Sequence, residues 1–233
     1  MASDLTTSAS PHVSPIEVSG SGRTDAGVHA AHQIASFHCE SELPPDRILE
    51  ELRRYLPEDI GIYSCVDVQP RFHARLNARA KTYRYRIWNS QEPRVFERRY
   101  VAAMPERLDL DAMRRGAALL TGEHDFSAFC GNAKMKKSTV RRIDSIDIQR
   151  QGKEIQISFT GNGFLYNMAR AMAGTVVYAA EGKIRPEEIG EILASGNRTA
   201  AGPTVPAGGL YMTHLWYDDG IDRFECGCED RFG

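Results

Sequence analysis

The sequence predicts an α+β fold built around a mostly antiparallel sheet. Three observations lead there. Residues 81–88, KTYRYRIW, set Tyr83, Tyr85 and Ile87 on one side of a strand and Arg84 and Arg86 on the other. Ile146 and Ile148, then Ile155, Ile157 and Phe159, alternate with polar residues on either side of Gln151-Gly152, as in a hairpin. Residues 164–181 are apolar nearly all round at helical period, as in a buried helix. Strands and helices interleave without the regular βαβ rhythm of a parallel sheet.

The elements follow in order. Residues 1–19 are rich in Ser, Thr and Pro and are expected to form a disordered or atypical arm, with Ile16–Val18 able to begin a strand that Gly20-Ser21-Gly22 breaks. QIASFH, residues 33–38, reads as a short strand. Pro44-Pro45-Asp46 opens a helix with Ile48, Leu49, Leu52 and Tyr55 on one face, and Pro57 ends it. Residues 60–68 form an apolar segment closed by Pro70. A helix over 109–120 carries Leu110, Met113, Ala117 and Leu120 on one face, with Gly122 beyond its end. After the hairpin and the buried helix, which Gly182 caps, Pro186 starts a short amphipathic helix that stops at Gly196. GLYMTHLWY, residues 209–217, is apolar on both alternating faces, like an interior strand. Residues 218–233 form an acidic tail.

The 233 residues, 42% hydrophobic and 26% charged, are enough for a real core without disulfide or metal support. No apolar run is long enough to predict a membrane-spanning helix. The cysteines, Cys39, Cys65, Cys130, Cys226 and Cys228, are odd in number, and no secretory signal is read at the N-terminus, so free thiols in the cytoplasm are expected. Cys226-Gly-Cys228 lacks the second pair that a zinc site needs. The net charge is only −2, yet residues 71–99 hold nine basic side chains against Glu92 and Glu97, and residues 134–153 hold seven against Asp144 and Asp147. Two basic stretches on a near-neutral chain suit a polyanion bound on one face; they also suit a solvated strand edge.

Three features carry candidate chemistry. The loop GSGRTDAGVHAA, residues 20–31, presents Arg23, Asp25 and His29 between glycines that let the backbone approach a ligand. It matches neither a phosphate loop nor a dinucleotide fingerprint. Asp25 is equally placed to cap a helix beginning near Ala26. Arg170 is the one charged residue between Phe164 and Ala180, so it either reaches the surface or pairs with a carboxylate, for which Asp25 is the best unassigned candidate. Tyr83, flanked by cations, suits base stacking beside phosphate contacts; it also suits an ordinary core tyrosine. His29, His32, His38 and Cys39 are crowded but match no zinc spacing, and a metal-dependent hydrolase using His29 and His32 is the reading from another class.

Together these segments resemble the tRNA pseudouridine synthase A (TruA) family. The resemblance rests on Gly22-Arg23-Thr24-Asp25-Ala26-Gly27-Val28-His29, on Phe72-His73-Ala74-Arg75 followed by Thr82-Tyr83-Arg84-Tyr85, on Gly163-Phe164-Leu165-Tyr166-Asn167-Met168-Ala169-Arg170 with Gly174, and on Gly209-Leu210-Tyr211-Met212. Lesser matches lie at residues 120–126 and 139–143, so it runs from about Gly20 to Tyr217. It implies the pseudouridine synthase fold: two ferredoxin-like α+β halves, here residues 20–100 and 101–217, sharing one sheet with the active cleft between them. It implies an isomerase that needs no cofactor or metal, a homodimer, and uridines at positions 38 to 40 of the tRNA anticodon stem-loop as substrate. Carried over, Asp25 is the catalytic carboxylate, Arg170 its ion-pair partner, Tyr83 the stacking platform and Arg23 the side chain that enters the RNA as the base flips out. The family's N-terminal strand and helix, with their Tyr-Asp-Gly and Gly-Trp-Gln signatures, have no counterpart here. The first half is therefore expected to be incomplete, with an open sheet edge that lowers solubility or activity. The alternative function is a catalytically weak tRNA-binding or folding module of the same descent.

Overall fold

The computed structural model describes residues 15–132 and 134–218. The arm through residue 14, most of the acidic tail, and Cys226 and Cys228 lie outside the described residues.

The elements are β1 (Val18–Gly20), β2 (His29–Ala30), β3 (Ala35–Phe37), α1 (Pro45–Tyr55), β4 (Ala80–Trp88), β5 (Ala102–Ala103), α2 (Leu110–Ala118), β6 (Gly122–Asp125), β7 (Val140–Gln151), β8 (Glu154–Gly161), α3 (Met168–Ala180), α4 (Glu188–Ser195) and β9 (Leu210–Trp216). The main sheet runs β2-β9-β4-β8-β7-β6, with β5 beside the end of β4. The β2–β9 and β4–β5 pairs are parallel and the rest antiparallel. This is the α+β, mostly antiparallel fold that the sequence predicts. One arrangement differs: β1 and β3 pair with each other in a separate two-stranded sheet, and β2 is the strand of this region that joins the main sheet.

The alternation on β4 decides the core. Tyr83, Tyr85 and Ile87 are buried on the same face as Ile155, Ile157 and Phe159 of β8 and Met212 and Leu215 of β9. Helix α3, apolar on nearly every side, covers that face, with α2 packed beside it. Asp109 caps α2 by accepting from the backbone N–H groups of Asp111 (2.9 Å) and Ala112 (3.1 Å). One sequence expectation is corrected here, and one segment left open is now placed. Helix α3 begins at Met168 rather than near 164, because Asn167 takes a left-handed backbone conformation (φ 59°) that no helix can pass through. Residues 60–68 form no strand, and Ile60, Tyr63 and Val66 remain exposed. Helix α1 likewise buries none of its residues fully.

The second face of β4 explains part of the basic stretch. Arg86 and Glu154 face each other across β4 and β8, both buried, joined by two hydrogen bonds of 2.6 and 2.9 Å. Arg94 reaches the same carboxylate at 2.8 Å, and Glu97 binds Arg94 at 2.7 Å. So Arg86 and Arg94 of the basic run serve an internal network rather than an open polyanion face. Burial raises the Glu154 carboxyl, but the Arg86 hydrogen bond and charge, helped by Gln156 and Arg94, outweigh it and hold the group below the ordinary range. A lowered folded pKa adds stability that is complete above the unfolded value, roughly 4.3, and is lost as the pH falls through the folded value. Glu154→Gln is therefore expected to lower unfolding stability by about 2 kcal/mol at pH 7. In urea titrations the gap between parent and variant should close below about pH 4; a gap that stays constant into acid would contradict the assignment.

Candidate active site

The site grows from two turns that meet at the end of β4. In the first, the Val28 N–H donates to the Asp25 carbonyl at 2.9 Å, with Gly27 third in the turn at φ 81°. That conformation suits glycine, so the chain reverses here and enters β2. Asp25 thus opens a turn and not a helix, and the helix-cap alternative is overturned. In the second turn, the Met168 N–H donates to the Leu165 carbonyl at 3.1 Å, with Asn167 in the third place.

Side chains pin the first turn to the sheet. The Lys81 ammonium donates to the Ser21 carbonyl, Gln33 donates to the Gly22 carbonyl at 3.0 Å, and the Ser21 hydroxyl donates to Gln33. Gly22 lies close against the tyrosine: a Cβ there would sit 3.2 Å from the Tyr83 hydroxyl, which would have to give by a few tenths of an ångström. Downstream, the His29 ring lies 4.9 Å from the rings of both Tyr100 and Tyr211 and bonds the Arg99 carbonyl at 3.0 Å. His32 meets the ring of His214 instead, so the two histidines of the hydrolase reading go to different neighbours.

Between the two turns lies a cavity of about 400 Å³. Asp25, Arg23, Tyr83 and Arg170, the four residues to which the family resemblance gives roles, all line it, while His29, His32, His38 and Cys39 do not. Arg75, Lys81, Lys137 and Arg141 line it as well, so that among the described residues six cations and one carboxylate line the cavity. Tyr83 is both a core residue and a wall of the cavity: it is 9% exposed, and its ring meets Phe164 edge-on at 4.9 Å. Burial, with the charge of Asp25, pushes its phenol up, while Arg75 acts in the opposite sense. Burial, with Arg75 beside it, pulls the Lys81 ammonium down to about 8.

The expected ion pair between Arg170 and Asp25 is not formed. Arg170 is half-buried at the first turn of α3, and its Nε donates to the Val205 carbonyl at 2.7 Å and its Nη1 to the Asn167 Oδ1 at 3.1 Å. Both acceptors lie within reach of the guanidinium on its own side of the cavity, which is why it is held there. The sequence analysis counted Arg75, Lys81, Lys137 and Arg141 only within the basic stretches and gave Asn167 no role. One of these had a readable signal: Lys81 is two residues before Tyr83 on the same strand face.

A mostly antiparallel sheet with helices on one face, and a cation-lined cleft presenting one acidic side chain beside a buried tyrosine, is the pseudouridine synthase fold. The comparisons with known proteins agree. A family model described as tRNA pseudouridine synthase matches residues 117–218. A protein of Acetivibrio thermocellus called tRNA pseudouridine synthase A is 42% identical over 202 residues, covering 87% of this chain and 83% of that protein. Its namesake in Brevibacillus brevis is 43% identical over 202 residues with the same coverage. That of Halalkalibacterium halodurans is 44% identical over 195 residues, covering 84% of this chain and 74% of its own. The chain belongs to the tRNA pseudouridine synthase A family.

Proposed function

We propose that this chain isomerises uridine to pseudouridine in the anticodon stem-loop of tRNA, with Asp25 as the catalytic carboxylate. The observation that carries the reading is the convergence of Asp25, Tyr83 and Arg170, from three distant segments, on one cation-lined cavity. Its volume of about 400 Å³ is enough for a single nucleotide drawn out of an RNA stack.

The reaction exchanges one glycosidic bond for another. The N1–C1′ bond breaks, the uracil turns in place, C5 bonds to C1′, the C5 proton leaves and N1 takes one up. Atoms and electrons balance without an oxidant or an imported group. Asp25 reaches the separated uracil either by attack at C1′ or by removal of the 2′ proton, and both routes use an ionised, oriented carboxylate. Tyr83 offers an aromatic surface beside the turning base. Arg23, exposed on the loop, is the side chain that follows the departing base into the stack. Arg75, Lys137 and Arg141 meet the flanking phosphates. In this reading residues 20–100 are the catalytic half and 101–217 the second half of a cytoplasmic enzyme that works as a homodimer.

Carbodiimide mapping of tRNA from cells with and without this chain tests the proposal. Pseudouridine at anticodon-stem positions that appears only with the chain is the expected result. Unchanged modification alongside retained tRNA binding would instead favour the binding-module alternative.

A further inference from the structure

We propose that Asn167 is a positioning residue whose side-chain oxygen holds the Arg170 guanidinium at the cavity wall. Three observations converge on it. Among the described residues, Asn167 is the one non-glycine with a positive φ, 59°. The corresponding third place of the Asp25 turn holds Gly27, at φ 81°, so the chain uses the sterically easier residue on one wall and a side chain on the other. Asn167 is also the residue that precedes the first turn of α3, where an asparagine ordinarily accepts from a backbone N–H of the helix; here its side chain makes no such bond. Its Oδ1 instead accepts from Arg170 Nη1 at 3.1 Å. A strained backbone and an unused cap are both costs to folding, and the interaction that accompanies them faces the site.

The geometry makes the arrangement effective. The Val205 carbonyl takes Nε at 2.7 Å and Asn167 takes Nη1, so the guanidinium plane is held at two points from two segments. Nη2 is left without an acceptor among the described residues. With Oδ1 removed, one anchor remains and the planar group turns about its Nε bond. Asn167 and Arg170 line the cavity together, and the Gly131 N–H bonds the neighbouring Tyr166 carbonyl at 2.8 Å, which fixes the turn itself.

The proposal rests on the assignment of the site to uridine isomerisation, and a double-mutant cycle separates the two. Asn167→Gly suits the left-handed backbone and lacks the acceptor. It is expected to keep or raise the melting temperature while kcat falls about tenfold and KM stays within about twofold. Asn167→Asp keeps an acceptor oxygen and is expected to hold kcat within about threefold of the parent. In an Arg170→Leu background, Asn167→Gly is expected to cost nothing further. Asn167→Gly at the parent rate, Asn167→Asp falling as far as Asn167→Gly, or an undiminished tenfold loss in the Arg170→Leu background would each overturn the positioning role alone. Arg170→Leu at the parent rate would overturn the role of Arg170 and this proposal with it.

Discussion

Asp25→Asn is expected to lower pseudouridine formation by at least about a thousandfold while tRNA binding stays within a few fold. The amide keeps the shape of the side chain and its place in the turn that Gly27 closes. It can neither attack C1′ nor take a proton from C2′. Binding is expected to survive because affinity for RNA comes largely from cations against phosphates, and Arg23, Arg75, Lys137 and Arg141 are untouched. Removing one negative charge from among six cations can only strengthen that attraction. Single-turnover conversion and filter binding at a fixed salt concentration check the two halves. Turnover near the parent rate would remove Asp25 from the chemistry.

The largest expected effect on stability lies at Gly174, in the middle of α3. A Cβ there would sit 2.0 Å from the Pro203 carbonyl oxygen and 3.1 Å from its carbon, and neither backbone atom can swing aside. The helix presses on the loop in return, since a Cβ on Gly202 would lie 2.7 Å from the Gly174 carbonyl and the Thr175 Cα. Thr175 fastens the contact by accepting from the Gly202 N–H at 2.8 Å while donating to the Ala171 carbonyl at 2.8 Å. Gly174→Ala is therefore expected to cost about 3 kcal/mol or more, read from urea midpoints. The same loop carries the Val205 carbonyl that anchors Arg170 and the Pro206 carbonyl that receives the Tyr85 hydroxyl. Activity should fall along with stability even where the variant remains folded. A midpoint equal to the parent's would mean that the helix and loop are not in the contact described.

Much of this architecture was legible because period and punctuation speak for it. The alternation over residues 81–88, the hairpin around Gln151-Gly152 and the capped short helix ending at Gly196 correspond to β4, the β7–β8 pair and α4. What escaped was set by tertiary contacts. Nothing local distinguishes Asn167 from an ordinary helical residue, so α3 was expected to begin a turn too early. The strands β2, β5 and β6 are two to four residues long, too short for any period to show. The basic run from Arg71 to Arg99 reads as one face, yet Arg75 and Lys81 line the cavity, Arg86 and Arg94 serve Glu154, and Arg79 meets Asp218. Charge counting cannot tell a solvent-facing cation from one with a carboxylate many residues away. Asp25, Tyr83 and Arg170, which the family resemblance singled out and of which Arg170 alone was a local anomaly, line one cavity. The manner in which Arg170 is held was not legible, because its acceptors are a carbonyl and an amide that no sequence pattern advertises.

The central claim is that the Asp25 cavity remakes the glycosidic bond at C5. Isomerisation must expel the hydrogen carried by C5, so tRNA transcribed with uridine tritiated at that carbon reports the reaction directly. Incubation with the purified parent chain is expected to release tritium to water, in proportion to pseudouridine formed and without added cofactor, and Asp25→Asn is expected to release none. Tritium retained in the RNA by the parent, or equal release from parent and Asp25→Asn, would contradict the account.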